Sequence, residues 1–124
     1  MVAMLWKEPE AAPFLSAIIA AGGGSISAGN YLEASIVIDK QRDPVISAGL
    51  DNLLAELEID IAPVTATQAR LARQAYRDFG KGSGHPAQLN YGDCFAYALA
   101  VERGEPLLYK GDDFAHAGLA RVVA

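Results

Sequence analysis

Four carboxylates occupy positions from which they could act together: Glu33, Asp93, Asp112 and Asp113. No pattern of histidine or cysteine accompanies them, since the chain has two histidines, His85 and His116, and one cysteine, Cys94. Gathered carboxylates without such partners suit a hard cation, Mg²⁺ or Mn²⁺, held through oxygen. An ion of this kind orients a water in line with a phosphodiester and neutralises charge as the bond breaks. The residue types therefore point to phosphoryl-transfer chemistry, provided the fold brings them together. Each acid also has an ordinary role open to it. Asp93 would complement a helix N-terminus, worth under about 1 kcal/mol at a surface. Asp112 and Asp113 would be turn residues, and Glu33 would pair with Lys40 two turns further on.

The elements that position these acids follow from pattern. A first helix is expected from about Pro9 to Ala21, stopped by Gly22-Gly23-Gly24. Ser25-Ile26-Ser27-Ala28 reads as a strand, and a helix from about Asn30 to Lys40 follows it. Asp43 caps a third helix with Pro44 at its first position, reaching about Glu58. Ile59-Asp60-Ile61-Ala62-Pro63-Val64 is the next strand. Thr65 or Thr67 caps a helix to about Phe79. A glycine-rich loop, Gly80-Lys81-Gly82-Ser83-Gly84-His85-Pro86, leads to a helix over Tyr91–Arg103 that Gly104 stops. Pro106-Leu107-Leu108-Tyr109 is an apolar strand, Gly111-Asp112-Asp113-Phe114 a turn, and Arg121-Val122-Val123 a last strand. Strands alternating with helices indicate an α/β fold, a parallel sheet covered on both faces. Ligands of such sheets bind outside the carboxyl ends of the strands. Glu33, Asp93 and the Asp112–Asp113 turn all fall at that edge. Carboxylates of Glu33 and Asp93 within roughly 8 Å would share an ion, given oxygen ligands at about 2.0–2.6 Å.

The helix containing Glu33 reads Asn30-Tyr31-Leu32-Glu33-Ala34-Ser35-Ile36-Val37-Ile38. It is apolar nearly all round, so it is expected to be buried, with Glu33 on a face with Ile36 and Val37. A carboxylate so placed needs a compensating partner.

Bulk composition narrows the class. The chain has 124 residues, 52% hydrophobic and 20% charged, which is the balance of one globular domain. The richest apolar run, Leu15 to Ala21, is too short to cross a bilayer. The N-terminus lacks the order of a signal peptide, and one cysteine excludes a disulfide framework. A cytoplasmic protein is expected. A net charge of −5 speaks against a general nucleic-acid binder, which would carry a basic face. Any affinity for nucleic acid should therefore depend on a divalent cation.

Leu89-Asn90-Tyr91-Gly92-Asp93-Cys94-Phe95-Ala96-Tyr97-Ala98-Leu99-Ala100 closely resembles the third-acid motif of VapC-type PIN domains. Leu107-Leu108-Tyr109-Lys110-Gly111-Asp112-Asp113-Phe114 resembles their fourth-acid segment, and Asn30-Tyr31-Leu32-Glu33-Ala34 the helix bearing their second acid. Met4-Leu5-Trp6-Lys7-Glu8-Pro9-Glu10 is similar to the stretch that follows their first strand. The resemblance spans nearly the whole chain and implies a single PIN-like domain, a parallel sheet sandwiched between helices, over residues 1–124. It implies an endoribonuclease dependent on Mg²⁺ or Mn²⁺, a homodimer, silenced by a VapB-type antitoxin. Glu33 and Asp93 carry over as metal ligands. Asp113 matches the last acid better than Asp112, which stands beside it as a ligand or a water-holding group.

Two departures qualify the resemblance. The family opens with an apolar strand ending in an aspartate, and here roughly seven or eight residues, about one strand's length, precede the matching stretch in the family and not in this chain. A sheet without that central strand would leave backbone groups of its neighbours unpaired, so the chain is expected to be poorly folded, to fill the gap with another segment, or to begin further upstream. A wrongly assigned start is the preferred account. Ala117-Gly118 also replaces the Thr-Asp pair common in the family. A PIN module that binds its antitoxin without cleaving RNA is the main alternative function. A receiver-like phosphoacceptor ranks below both, because Asp60 lies inside its strand and not at the end. His85 and Lys81 are expected at a solvated loop surface and His116 at the surface. Cys94 is expected to be a buried structural thiol. Gly22-Gly23-Gly24 precedes a strand and is no phosphate loop. Trp6 and Phe14 are expected in the core or at a dimer contact, as part of an apolar surface with Leu15, Ile18 and Ile19.

Overall fold

Strand β1 (Val2–Met4) serves both halves of the core through its period-two alternation. Ala3, and Leu5 just beyond the strand, join a cluster with Ala62, Leu89, Leu99 and Leu107, whereas Met4 enters a second cluster with Ile18, Ile26, Leu50 and Leu54. The computed structural model describes residues 2–5, 16, 18–108 and 121–122. After β1 the chain is helical at residues 18–20 and passes into β2 (Gly24–Ser27), α1 (Ala28–Asp39) and α2 (Pro44–Glu56). There follow β3 (Ile59–Ala62), α3 (Ala66–Phe79), α4 (Tyr91–Arg103), β4 (Leu107–Leu108) and β5 (Arg121–Val122). The strands form one parallel sheet in the order β3-β2-β1-β4-β5. This is the α/β architecture expected, a single parallel sheet between helices.

Chain order reverses between β1 and β4: successive strands build outward to β2 and β3 on one side, then to β4 and β5 on the other. Such a switch point opens a crevice at the carboxyl ends of its two strands.

By pattern, Val2–Leu5 is the stretch that follows a first strand, yet Val2–Met4 is itself the central strand here. Met4 lies beside Ile26 on one side and Leu108 on the other. The Ala3 amide donates to the Pro106 carbonyl at 3.1 Å. The run is short, apolar and extended, which is all that the slot between β2 and β4 demands. The gap expected in the sheet is therefore filled.

Helix starts obey their caps. Ser27 ends β2 and its side chain accepts from the Gly29 amide, so α1 begins directly after the strand, two residues earlier than expected. Asp43 caps α2 with Pro44 inside the first turn, as its sequence indicates. That helix stops at Glu56 instead of Glu58, because Leu57 closes it and Glu58 turns to a φ of 56°. Thr65 caps α3, and Gly104, at a φ of 63°, closes α4 in the left-handed conformation.

The expected all-round burial of α1 is corrected. Its buried residues are Asn30, Ala34 and Ile38, one stripe at a spacing of four, while Leu32, Glu33, Ile36 and Val37 are exposed. The helix packs through a single line of side chains, so apolar composition overstated its burial. Within the apolar surface assigned to the first helix, Ile18 is fully buried in the core and Ile19 is exposed. Ile18 is thus unavailable to a dimer contact. Trp6, Phe14, Leu15 and His116 lie outside the described residues. No helix among the described residues is long and apolar enough to cross a membrane.

Candidate functional site

The site begins where α1 and α4 cross at the carboxyl edge of the sheet. Asn30, in the first turn of α1, is 2% exposed, and its Nδ2 donates to the Gly92 carbonyl at 2.8 Å. One helical turn later, Glu33 folds its carboxylate against the same glycine. A β-carbon placed on Gly92 would lie 2.8 Å from each carboxylate oxygen of Glu33. One placed on Gly29 would lie 3.0 Å from the Phe95 ring. The two helices approach this closely because glycine stands at both crossing points. Glu33 thereby comes to rest beside the residue that adjoins Asp93.

Asp93 is held by its own helix end. Asn90 caps α4, its Oδ1 accepting from the Asp93 amide at 2.9 Å. The Asp93 Oδ2 accepts in turn from the Asn90 amide at 2.9 Å. This reciprocal capping box fixes the side chain, which is 2% exposed. The opposite end of α4 is anchored by Arg103, which donates to the Ser25 hydroxyl and pairs with Asp60 at 3.4 Å. Asp60 is therefore engaged at the far end of its strand pair, in a structural role that leaves the receiver-like reading without its phosphoacceptor. Among the described residues Glu33 forms no ion pair with Lys40.

Chemically, Glu33 and Asp93 offer carboxylate oxygens where α1 crosses the first turn of α4. Asn30 adds a buried Oδ1 that has no hydrogen-bond partner among the described residues. Oxygen-only donors of this type fit a hard divalent cation. Among the described residues no group of three or more His, Cys, Asp or Glu side chains gathers. Asp112 and Asp113 lie outside the described residues, and Val2–Leu5 carries no acid at the end of the central strand. Cys94, next to Asp93, is buried, and burial together with the Asp93 charge pushes its thiol up to about 11. That is the environment of an inert thiol.

The glycine-rich loop is tied at its base. Gly80 bridges Leu89, with the Lys81 amide donating to the Leu89 carbonyl and the Leu89 amide to that of Phe79. His85 turns inward, its Nδ1 accepting from the Ala87 amide and its ring set edge-on to Phe79 at 4.8 Å. Lys81 is exposed.

Residues 1–119 match the family model described as the PIN domain. The chain is a PIN domain of the VapC type. It is 55% identical to Ribonuclease VapC28 of Mycobacterium tuberculosis over 99% of this chain and 92% of that protein. VapC ribonuclease Mb0625 of Mycobacterium bovis matches over the same extent with the same identity. Ribonuclease VapC42 of M. tuberculosis is 44% identical over 96% of this chain and 91% of its own length. In this PIN domain the Glu33 carboxylate rests on Gly92, next in sequence to Asp93, while Asn30 and Gly92, which the pattern of acids alone did not single out, form the joint between the two helices. The signal for Asn30 was its place one turn before Glu33, on a helix face otherwise reserved for apolar residues.

Proposed function

We propose that this chain is a metal-dependent endoribonuclease toxin, using Mg²⁺ or Mn²⁺, and that a VapB-type antitoxin neutralises it. The reading is supported by the family and the relatives' names as ribonucleases. The observation that carries it to particular residues is the Glu33 carboxylate packed on Gly92, immediately beside Asp93. Glu33 and Asp93 would hold the ion, with Asp113 as a further ligand from the fourth-acid segment and Asp112 beside it. When bound, the ion supplies charge neutralisation at the scissile phosphate and an activated water. The chain's own contribution is position. The capping box fixes Asp93, and the Asn30 bond to the Gly92 carbonyl ties the helix of one acid to the helix of the other. Water and phosphate then meet carboxylates whose geometry is set in advance.

Asp93→Asn tests the reading. Asparagine keeps an oxygen that can accept from the Asn90 amide, so the helix cap survives, while the charge that would hold the ion is gone. We expect Mg²⁺-dependent RNA cleavage to disappear and the thermal melt to change little. A variant that cleaves as fast as the parent, with the same metal requirement, would leave Asp93 as a helix-end residue only. A parent that forms a complex with its antitoxin yet cleaves no RNA under any divalent metal would favour the silent module.

A further inference from the structure

The middle of α3 and the first turns of α4, with Lys81 of the glycine-rich loop, enclose a groove of about 750 Å³. Asn90, whose side chain caps the Asp93 turn, lies in its wall, so the groove adjoins that turn. Part of its lining is apolar, with Ala69, Ala72 and Cys94. Its sides are aromatic and cationic: Tyr76, Tyr91 and Phe95, with Arg73 and Lys81.

The aromatic walls are set before any ligand arrives. Tyr91 is 79% exposed and stands edge-on to Phe95, ring centroids 5.0 Å apart at 89°. The Tyr76 ring lies against Gly80, where a β-carbon would come within 2.5 Å of it, and its hydroxyl donates to the Lys81 carbonyl at 3.1 Å. Thus the glycine-rich loop builds one wall and places Lys81 at its rim. Tyrosines as exposed as Tyr76 and Tyr91 beside a concave, partly apolar lining have no evident role in the core. Two cations at the same place stand out on a chain of net charge −5.

We propose that this groove receives an unpaired base of the RNA strand, next to the phosphodiester presented to Glu33 and Asp93, with Arg73 and Lys81 on flanking phosphates. The inference rests on the ribonuclease reading and names its substrate form as single-stranded. Aromatic side chains stack on bases only when those bases are free of a duplex, and cations beside them track the backbone. A volume of this size falls in the range that accommodates a small-molecule-sized group.

The test is binding of a fluorescent single-stranded hexaribonucleotide followed by anisotropy, with Mg²⁺ present and readings taken before cleavage, and again in EDTA to read the metal's share. Tyr91→Ala, at a position too exposed to unfold the domain, should weaken binding about 5-fold or more, and Tyr91→Trp should restore it. Arg73→Ala should flatten the salt dependence of log K by about 0.7, the share of one phosphate contact on a single strand. An RNA duplex of the same sequence should bind more weakly than the single strand. Unchanged affinity in both variants, no binding by the parent, or equal affinity for the duplex would overturn the proposal. So would variants that alter self-association in sedimentation while leaving RNA binding intact, since the groove would then be a protein contact. A parent that cleaves RNA while Tyr91→Ala and Arg73→Ala are without effect would refute the groove and leave the nuclease standing. A parent that binds through the groove but never cleaves would do the reverse.

Discussion

Replacing Gly92 by alanine separates stability from function in a way few substitutions at this crossing can. The added β-carbon would lie 2.8 Å from both Glu33 oxygens and 3.1 Å from their carbon, where ordinary contact begins at 3.4 Å. The carboxylate must withdraw by roughly 0.6 Å, while metal–oxygen distances tolerate only about ±0.2 Å. It is the far end of a flexible side chain on an exposed helix face, so the movement costs little in folding. Gly92 lies within α4 and its φ is not positive, so alanine is conformationally acceptable and favours the helix by up to about 1 kcal/mol. We therefore expect a melting temperature equal to or above the parent's. Affinity for Mn²⁺ should fall on the order of 10- to 100-fold, as it does when groups that orient a metal's ligands are disturbed. Calorimetric titration with Mn²⁺, a thermal melt and RNA cleavage on the same preparation read all three. A variant with undiminished metal affinity and cleavage would show that the Glu33 carboxylate does not need to stand where it does. One that loses function only by melting early would make Gly92 a packing residue.

Three further outcomes are expected. Asn30→Ala removes the buried link between α1 and α4 and leaves the Gly92 carbonyl without its donor, at a cost of about 1–3 kcal/mol in denaturant unfolding; a loss below about 0.5 kcal/mol would mean that water replaces the bond at no cost. In metal-free buffer the Cys94 thiol, raised in the folded state to about 11 from an ordinary 9.0, contributes stability that is complete below pH 9 and declines as pH rises towards 11. Cys94→Ala should remove that decline, and iodoacetamide should react slowly with the native thiol at pH 8; rapid alkylation would contradict the burial. Finally, an apolar strand ending in aspartate, added ahead of Met1, should compete with Val2–Met4 for the slot between β2 and β4, raising the melting temperature and metal-dependent cleavage together; no change in either would show that Val2–Met4 keeps its place.

Much of the fold was legible because its signals are local. Asp43-Pro44, Thr65 and Gly104 mark helix ends by capping side chains or backbone freedom that act within a few residues, and each does so in the structure. Strand alternation and the order of elements then lead to the parallel sheet. What pattern could not give was competition between segments. Val2–Met4 is a central strand because it meets Ile26 and Leu108 on its two sides, a fact about distant neighbours. The burial of α1 failed for a related reason: composition records how apolar a helix is, whereas packing along Asn30, Ala34 and Ile38 decides which face is covered. At the site, residue type pointed to Glu33 and Asp93. The crossing that joins them depends on glycines and an asparagine whose roles appear only once two helices touch. The groove beside them was invisible for the same reason, being assembled from Arg73 on one helix, Tyr91 on another and Lys81 on the loop between.

Glu33 and Asp93 holding one ion between them is the central claim, and a double-mutant cycle on Mn²⁺ binding addresses it most directly. The dissociation constant would be measured for the parent, Glu33→Gln, Asp93→Asn and the double variant, with melts to show that each is folded. If the two carboxylates share an ion, each single change should weaken binding about tenfold or more. The double change should then cost less than the two separate losses combined, because the second ligand matters little once the first is gone. Losses that simply add, or a parent affinity that neither change disturbs, would contradict the shared site.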